Sequence, residues 1–273
     1  VKFKDPDHFL KPAVIAISIY LIGFGIAMAF FPIRPFWNDE WRLIYNLKFK
    51  TIPELWGRLD LLQECPRVYL SLLKEFTSVF DYSYTSLRLP ALLIGIVNVL
   101  FVFRLRMKLY PDDAVYSKLF ILIIISSQTF TDYLTQVKQY EMEIFASLIA
   151  LWQLVTMLDI AGDGKTTNSK YILLCLSFLT IPFFSYTYPI AIAMAIPIIL
   201  LKLVTKRDKR VVVKTLLPLV LVCVSITIFY WIDVRNVMND HRMYHSYLHM
   251  LGNDKGKLNF LKDLWDLFAL VGF

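Results

Sequence analysis

Two adjacent carboxylates, Asp39 and Glu40, stand between two indoles in Trp37-Asn38-Asp39-Glu40-Trp41, directly after the first long apolar run of the chain. An ionised acid beside hydrocarbon is costly, so an acid at a membrane edge is a functional-site hypothesis by default. The chemistry a positioned carboxylate offers is acid–base catalysis. The plain alternative is that Trp37 and Trp41 belong to an interfacial aromatic belt while the acids face water, with Asp39 capping the helix that follows. Neighbouring positions on a helix point about 100° apart, so Asp39 and Glu40 need not act as a pair.

Three further groups carry chemistry. Gln63-Glu64-Cys65-Pro66-Arg67-Val68-Tyr69-Leu70 places a carboxylate and a cation just before an amphipathic stretch, where a surface ion pair is the ordinary outcome. Asp132, Gln136, Lys138, Gln139, Tyr140, Glu141 and Glu143 gather at the entry to a later apolar run. By spacing, Lys138 is expected to pair with Glu141; the other role open to it is a phosphate contact. His241, His245 and His249 recur every four residues and fall on one side of a helix, where imidazoles can hold zinc or a phosphate. There is no HExxH pattern, and a wet interfacial face explains the row equally well. Gly162-Asp163-Gly164-Lys165-Thr166 imitates the end of a P-loop, but Asp159 stands where the leading glycine belongs and no strand precedes it.

The elements that must position these groups follow from composition. With 57% hydrophobic residues, 21 Phe and a mean hydropathy of +0.55, the chain suits a bilayer rather than a soluble surface. Its net charge of +7 resides in short clusters between apolar runs, which fits the positive-inside rule and not a nucleic-acid face. Cys175 and Cys223 fall inside apolar runs and leave Cys65 alone, so neither a disulfide framework nor a cysteine metal site is expected.

Apolar runs near 12–33, 87–103, 116–130, 141–160, 171–186, 188–204 and 211–232 predict an all-α polytopic membrane protein of about seven helices. The first, from Pro12 to Pro32, is too long for a signal peptide and reads as a retained span. Placing the N-terminus in the cytoplasm makes cytoplasmic loops of Arg104 to Lys108, Lys165 to Lys170 and Lys202 to Lys214, all short and basic. The opposite face receives the loop 34–86, the segment around Thr131 to Tyr140, the turn Ser185-Tyr186-Thr187-Tyr188-Pro189 and everything after Asp233. All the acid-rich, aromatic segments therefore share one side. Within loop 34–86, Glu40 to Lys50 and Val68 to Phe80 show helical apolar spacing, as in helices lying at a membrane interface.

The order of a first span, an Asp-Glu just beyond it, a Glu-x-Pro before an amphipathic helix, Ser86-Leu87-Arg88-Leu89-Pro90-Ala91-Leu92-Leu93-Ile94-Gly95 and Tyr133-Leu134-Thr135-Gln136-Val137-Lys138-Gln139-Tyr140 resembles the GT-C glycosyltransferases. Nearest are bacterial relatives of the dolichyl-phosphate-mannose protein mannosyltransferases and of the lipid A aminoarabinose transferase. Motifs cover roughly residues 12–160; beyond them the likeness is one of topology. The resemblance implies a membrane module over 1–232 with a catalytic loop at 34–86, and an external segment at 233–273 that leads in family members to a variable module. It implies an enzyme that takes a sugar from a polyprenyl-phosphate carrier and delivers it, with inversion, to a protein, glycan or lipid acceptor. The site would face outward from a bacterial inner membrane.

By the same resemblance Asp39 is the catalytic carboxylate, with Glu40 as neighbour or alternative. Glu64, Arg67, Arg88, Lys138 and Tyr140 fall on the substrate side. Glu64 occupies a second acidic position, near the carrier phosphate or a metal in some members, and a divalent metal is the one cofactor left open. Two departures stand out. Family members often have two prolines after the second acid, where this chain reads Cys65-Pro66-Arg67, and Lys138 replaces an arginine, keeping the charge but losing the bidentate fork. A transporter or lipid-linked sugar flippase would also need membrane charges, but transporters set them near the midplane on broken helices.

Overall fold

The computed structural model describes residues 15–20, 22–24, 35–109, 132–163, 166–204 and 208–238. Every regular element among them is helical. After a helical stretch over 15–20 and 22–24 come α1 (Asn38–Phe49), the short α2 (Ile52–Leu55), α3 (Arg67–Ser78), α4 (Tyr84–Leu109), α5 (Tyr140–Asp163), α6 (Asn168–Thr180), α7 (Tyr188–Val204), α8 (Lys209–Phe229) and the short α9 (Arg235–Met238). A 3-10 turn, Ile181–Phe184, follows α6, and a π-helical turn, Tyr230–Val234, joins α8 to α9.

Among the described residues three helices are long and apolar enough to cross a membrane: Tyr84–Arg106, Tyr140–Gly162 and Lys209–Val237, of 23, 23 and 29 residues. Asn168–Phe184 and Tyr188–Val204 are shorter apolar helices. The expected span 116–130 lies outside the described residues, as does most of the first. Pro90, Pro197 and Pro218 sit inside α4, α7 and α8, where neighbouring helices can satisfy the freed carbonyls.

The helices meet through three clusters. Met157, Ile160, Phe178, Tyr188, Ile192 and Val222 form the core joining α5 through α8. Inside it Tyr188 Oη donates to Gln153 Oε1 at 2.7 Å and Gln153 Nε2 to Ser177 Oγ at 2.9 Å, so this buried amide is satisfied from two helices. Ala16, Tyr20, Leu92, Val99, Phe103 and Leu134 hold the first helical stretch against α4. A further cluster, Leu43, Leu47, Leu55, Leu70, Leu73 and Val137, seats α1 and α3 on the end of the bundle.

α1 and α3 form where helical apolar spacing predicts them. In α1 the buried positions are Glu40, Leu43, Ile44 and Leu47, an i, i+3, i+4, i+7 stripe, together with Asn46 beside it. The opposite side exposes Trp37, Trp41, Tyr45 and Phe49, one per turn. At the far end of the bundle Lys108 pairs with Asp159 at 2.8 Å, tying the C-termini of α4 and α5 together. The basic segments near Arg104, Lys170 and Lys209 thus lie at one end and α1 and α3 at the other.

Candidate active site

Asp39 lies in the first turn of α1, and its two carboxylate oxygens have different partners. Oδ2 is 3.1 Å from Lys138 Nζ, and Oδ1 accepts from Gln63 Nε2 at 3.1 Å. Lys138 in turn donates to Gln63 Oε1 at 2.6 Å, closing a triangle of acid, amide and ammonium. The Asp39 side chain is 58% exposed while that of Lys138 is 7% exposed, so the pair opens on the acid side. Burial raises the Asp39 carboxyl, but the Gln63 hydrogen bond and the Lys138 charge outweigh it and hold the group below the usual carboxylate range.

Glu40 has a different task. It is buried, its Oε2 accepts from Trp37 N at 2.8 Å and its Oε1 from Val137 N at 2.7 Å. The first bond closes the N-terminus of α1 as the acidic half of a capping box does. The second ties that terminus to the segment carrying Lys138. Both oxygens are committed, so Glu40 sets the distance between Asp39 and Lys138 and is not itself open to a substrate.

The partners of Lys138 differ from those expected from spacing. Lys138 does not pair with Glu141; it pairs with Asp39 and Gln63, and Glu141 bonds Asn98 of α4 at 2.8 Å. An i, i+3 pair needs both residues on one helical face. α5 begins only at Tyr140, so Lys138 leaves from the preceding turn in another direction.

Gln63, which the sequence offered no role, is delivered by a strained loop. Leu61 and Leu62 both have positive φ, 59° and 54°, in the left-handed region that costs a non-glycine residue of order 1 kcal/mol or more. Asn46 of α1 pins this loop by donating to Asp60 O at 3.1 Å and accepting from Asp60 N at 2.7 Å.

A second ionic cluster stands nearby. Arg67, 1% exposed, contacts Glu64 Oε2 at 3.2 Å, its backbone N–H donates to Asp233 Oδ2 at 2.8 Å and its Nη1 donates to Cys65 O at 3.0 Å. Tyr186 Oη donates to Asp233 Oδ1 at 2.8 Å, and burial together with that acid pushes the phenol's pKa up. Asp233 lies in the π-helical turn after α8 and anchors α3 there. Cys65 is fully buried, and burial raises its thiol, so it is a packing residue rather than a nucleophile.

Glu143 caps the turn between α6 and α7, accepting from Tyr186 N and Thr187 N at 3.1 Å each, from Thr187 Oγ1 at 2.6 Å and from Ser185 Oγ. Arg88 is buried with its guanidinium 4.8 Å from the Phe36 ring centre and 4.4 Å from that of Tyr84. It thereby steadies the approach to Trp37. Tyr140 stacks on Tyr133 at 4.5 Å.

Of the sequence-derived residues, the fold brings Asp39, Glu40 and Lys138 together, sets Glu64 and Arg67 in the neighbouring cluster, and leaves Arg88 and Tyr140 in aromatic contacts. His241, His245 and His249 lie outside the described residues. Among the described residues no three His, Cys, Asp or Glu side chains gather as a metal site. Gln63, Asp233 and Tyr186 were given no role by the sequence, and Glu143 only a place in the cluster at the entry to α5. For Asp233 the signal was present, a lone acid at the end of an apolar run.

Chemically, the open triangle offers an ionised carboxylate facing outward and an ammonium behind it with two of its three N–H bonds engaged. It can accept a proton on one side and hold an anionic oxygen on the other. Compared with protein-family models, curated proteins and solved structures, the chain matches none, so the site is read from its own geometry.

Proposed function

We propose that the chain is a GT-C-type membrane glycosyltransferase that moves a sugar, with inversion, from a polyprenyl-phosphate carrier to an acceptor on the non-cytoplasmic face. The observation that carries this reading is the half-exposed Asp39 carboxylate paired with a nearly sealed Lys138 at the end of a bundle of apolar helices. In this account the module has about seven spans and resides in a bacterial inner membrane, with the basic loops in the cytoplasm.

The donor is a sugar phosphodiester whose carrier leaves as a phosphate monoester. As the anomeric C–O bond breaks, positive charge develops on the sugar and negative charge on the departing phosphate. Lys138 stabilises that phosphate, exchanging its contact with Asp39 for one with a phosphate oxygen, in surroundings where the low dielectric strengthens the interaction. Asp39, released, takes the proton of the acceptor hydroxyl as its oxygen attacks the opposite face of the anomeric carbon. Glu40 and Gln63 are positioning residues in this scheme, because each acts through Asp39 or Lys138.

The test uses purified protein in lipid vesicles with a polyprenyl-phosphate sugar. Wild type should form covalent product and Asp39→Asn, equally folded and inserted, should lose it. Counterflow of the lipid-linked sugar without covalent product would sink the transferase reading and favour a flippase.

A further inference from the structure

Beneath Lys138, three positions further along the chain, a second acid is buried with incomplete bonding. Glu141 is sealed between α4 and α5. Asn98 Nδ2 donates to its Oε2 at 2.8 Å and to its backbone carbonyl at 2.9 Å. Two acceptors on that side fix the amide's orientation and turn Asn98 Oδ1 the other way. Asn98 Oδ1 and Glu141 Oε1, both cut off from solvent, accept no hydrogen bond. None of the ion pairs among the described residues includes Glu141.

Gly95 of α4 makes room for this convergence. A Cβ there would stand 3.2 Å from Glu141 Oε2 and 3.3 Å from Tyr20 Oη, and would strike Leu134 Cδ2. Glu141 Oε2, Tyr20 Oη and the Asn98 amide thus come together where the first helical stretch, α4 and α5 meet, with the Leu134 side chain packed beside them.

We propose that Glu141 and Asn98, with Tyr20 beside them, form a buried binding site for a single positive charge, carried by a sodium ion or a proton. The orphaned atoms are both acceptors, so what is missing is a donor or a cation. Among the described residues the one formal charge there is the Glu141 carboxylate, which a single positive charge neutralises and a divalent ion would overcompensate next to hydrocarbon. Hard oxygen ligands suit a small alkali ion, as in the sodium and proton sites of membrane transporters. A proton on Oε1 meets the same need, since it turns an orphan acceptor into a donor.

Among the described residues, few groups face Glu141. Tyr20 comes from the first helical stretch, Tyr69 from α3 and Asn98 from α4. On its own segment Lys138 is held by Asp39 and Gln63, and Glu143 by the turn between α6 and α7. Occupancy would set how firmly the first turn of α5, and Lys138 just before it, is held against α4. This inference does not depend on what Asp39 does.

The experiment uses the full chain in lipid nanodiscs. Binding of radiolabelled sodium is measured directly, and the thermal unfolding midpoint is followed from about pH 5 to about pH 9 in sodium or N-methylglucamine chloride at equal ionic strength. A sodium site gives one bound ion per chain and a midpoint several degrees higher in sodium. A proton site gives no sodium effect, a midpoint that falls as pH rises, and an infrared band of a protonated carboxyl group. Glu141→Gln should remove whichever dependence wild type shows. If that variant does not fold, Asn98→Ala should weaken sodium binding at least tenfold or shift the infrared band. Wild type with no bound sodium and no protonated-carboxyl band overturns the proposal, as does a dependence untouched by both substitutions.

Discussion

The Asp39 and Arg67 clusters lie at the same end of the bundle and use the same chemistry, yet one is open and the other closed. Asp39 is more than half exposed beside a nearly sealed Lys138, whereas Arg67 and Asp233 are 1% and 2% exposed. In the closed cluster Asp233 accepts from the Arg67 backbone and from Tyr186, and Glu64 takes the far side of the guanidinium. Such a buried set joins α3 to the end of α8 and has little left to offer a ligand. The open cluster keeps one acid face and one ammonium N–H free to be exchanged. Exposure on one side only, rather than charge itself, separates a site from a clamp.

The largest effect is expected at Asp39. Asp39→Asn should lower sugar transfer by roughly 10²–10⁴-fold, while the unfolding midpoint stays within about 2 °C of wild type. A matched loss of stability and activity would make Asp39 a clamp like Asp233. Next in size, Asp233→Ala removes the acceptor of two buried donors, Arg67 N and Tyr186 Oη, and leaves Glu64 as the guanidinium's one carboxylate among the described residues; it should cost about 3–5 kcal/mol of stability, read from denaturant titration in detergent. An unchanged midpoint would show that α3 is not held through Arg67.

Glu40→Gln tests the link between the two halves of the open site. A glutamine oxygen cannot serve both Trp37 N and Val137 N as the carboxylate does, so about 1–3 kcal/mol should be lost, together with a fall in kcat. Glu40→Asp, which keeps the charge but shortens the reach, should rescue less than half of that activity if spacing is what matters.

The smallest expected effect is a shift in pH dependence. Asp39 must be ionised to accept a proton, so activity falls as pH drops through its pKa. Gln63 and Lys138 hold that pKa down against burial. Replacing Lys138 by Gln removes the positive charge and raises it, so the acid limb of the residual activity moves to higher pH. A depressed carboxyl also contributes stability above its unfolded pKa that is lost as pH falls, but at this exposure that contribution is slight.

Much of this organisation was legible in the chain. Periodicity gave α1 and α3 close to their observed limits, and lysine and arginine placement put Asp39 and Lys138 on one face. Partners were not legible, because they depend on where helices begin and how loops turn. Lys138 stands two residues before α5 and reaches Gln63 and Asp39, neither near it in sequence. Gln63 was invisible because its position rests on two left-handed leucines, a conformation that no turn residue announces. Asp233 marked only the end of an apolar run, and its partner lies 166 residues away. Glu40 was expected as the neighbour of Asp39 or its alternative, but its bond to the backbone of Val137 could not be read from the chain.

The most direct test of the central claim is a structure of the protein in lipid with a non-hydrolysable polyprenyl-phosphate sugar bound. The account predicts a phosphate oxygen within hydrogen-bond distance of Lys138 Nζ, with the Asp39 carboxylate freed from Lys138 and on the opposite side of the anomeric carbon. A donor phosphate seated away from Lys138 while the Asp39 pair stays closed would contradict it.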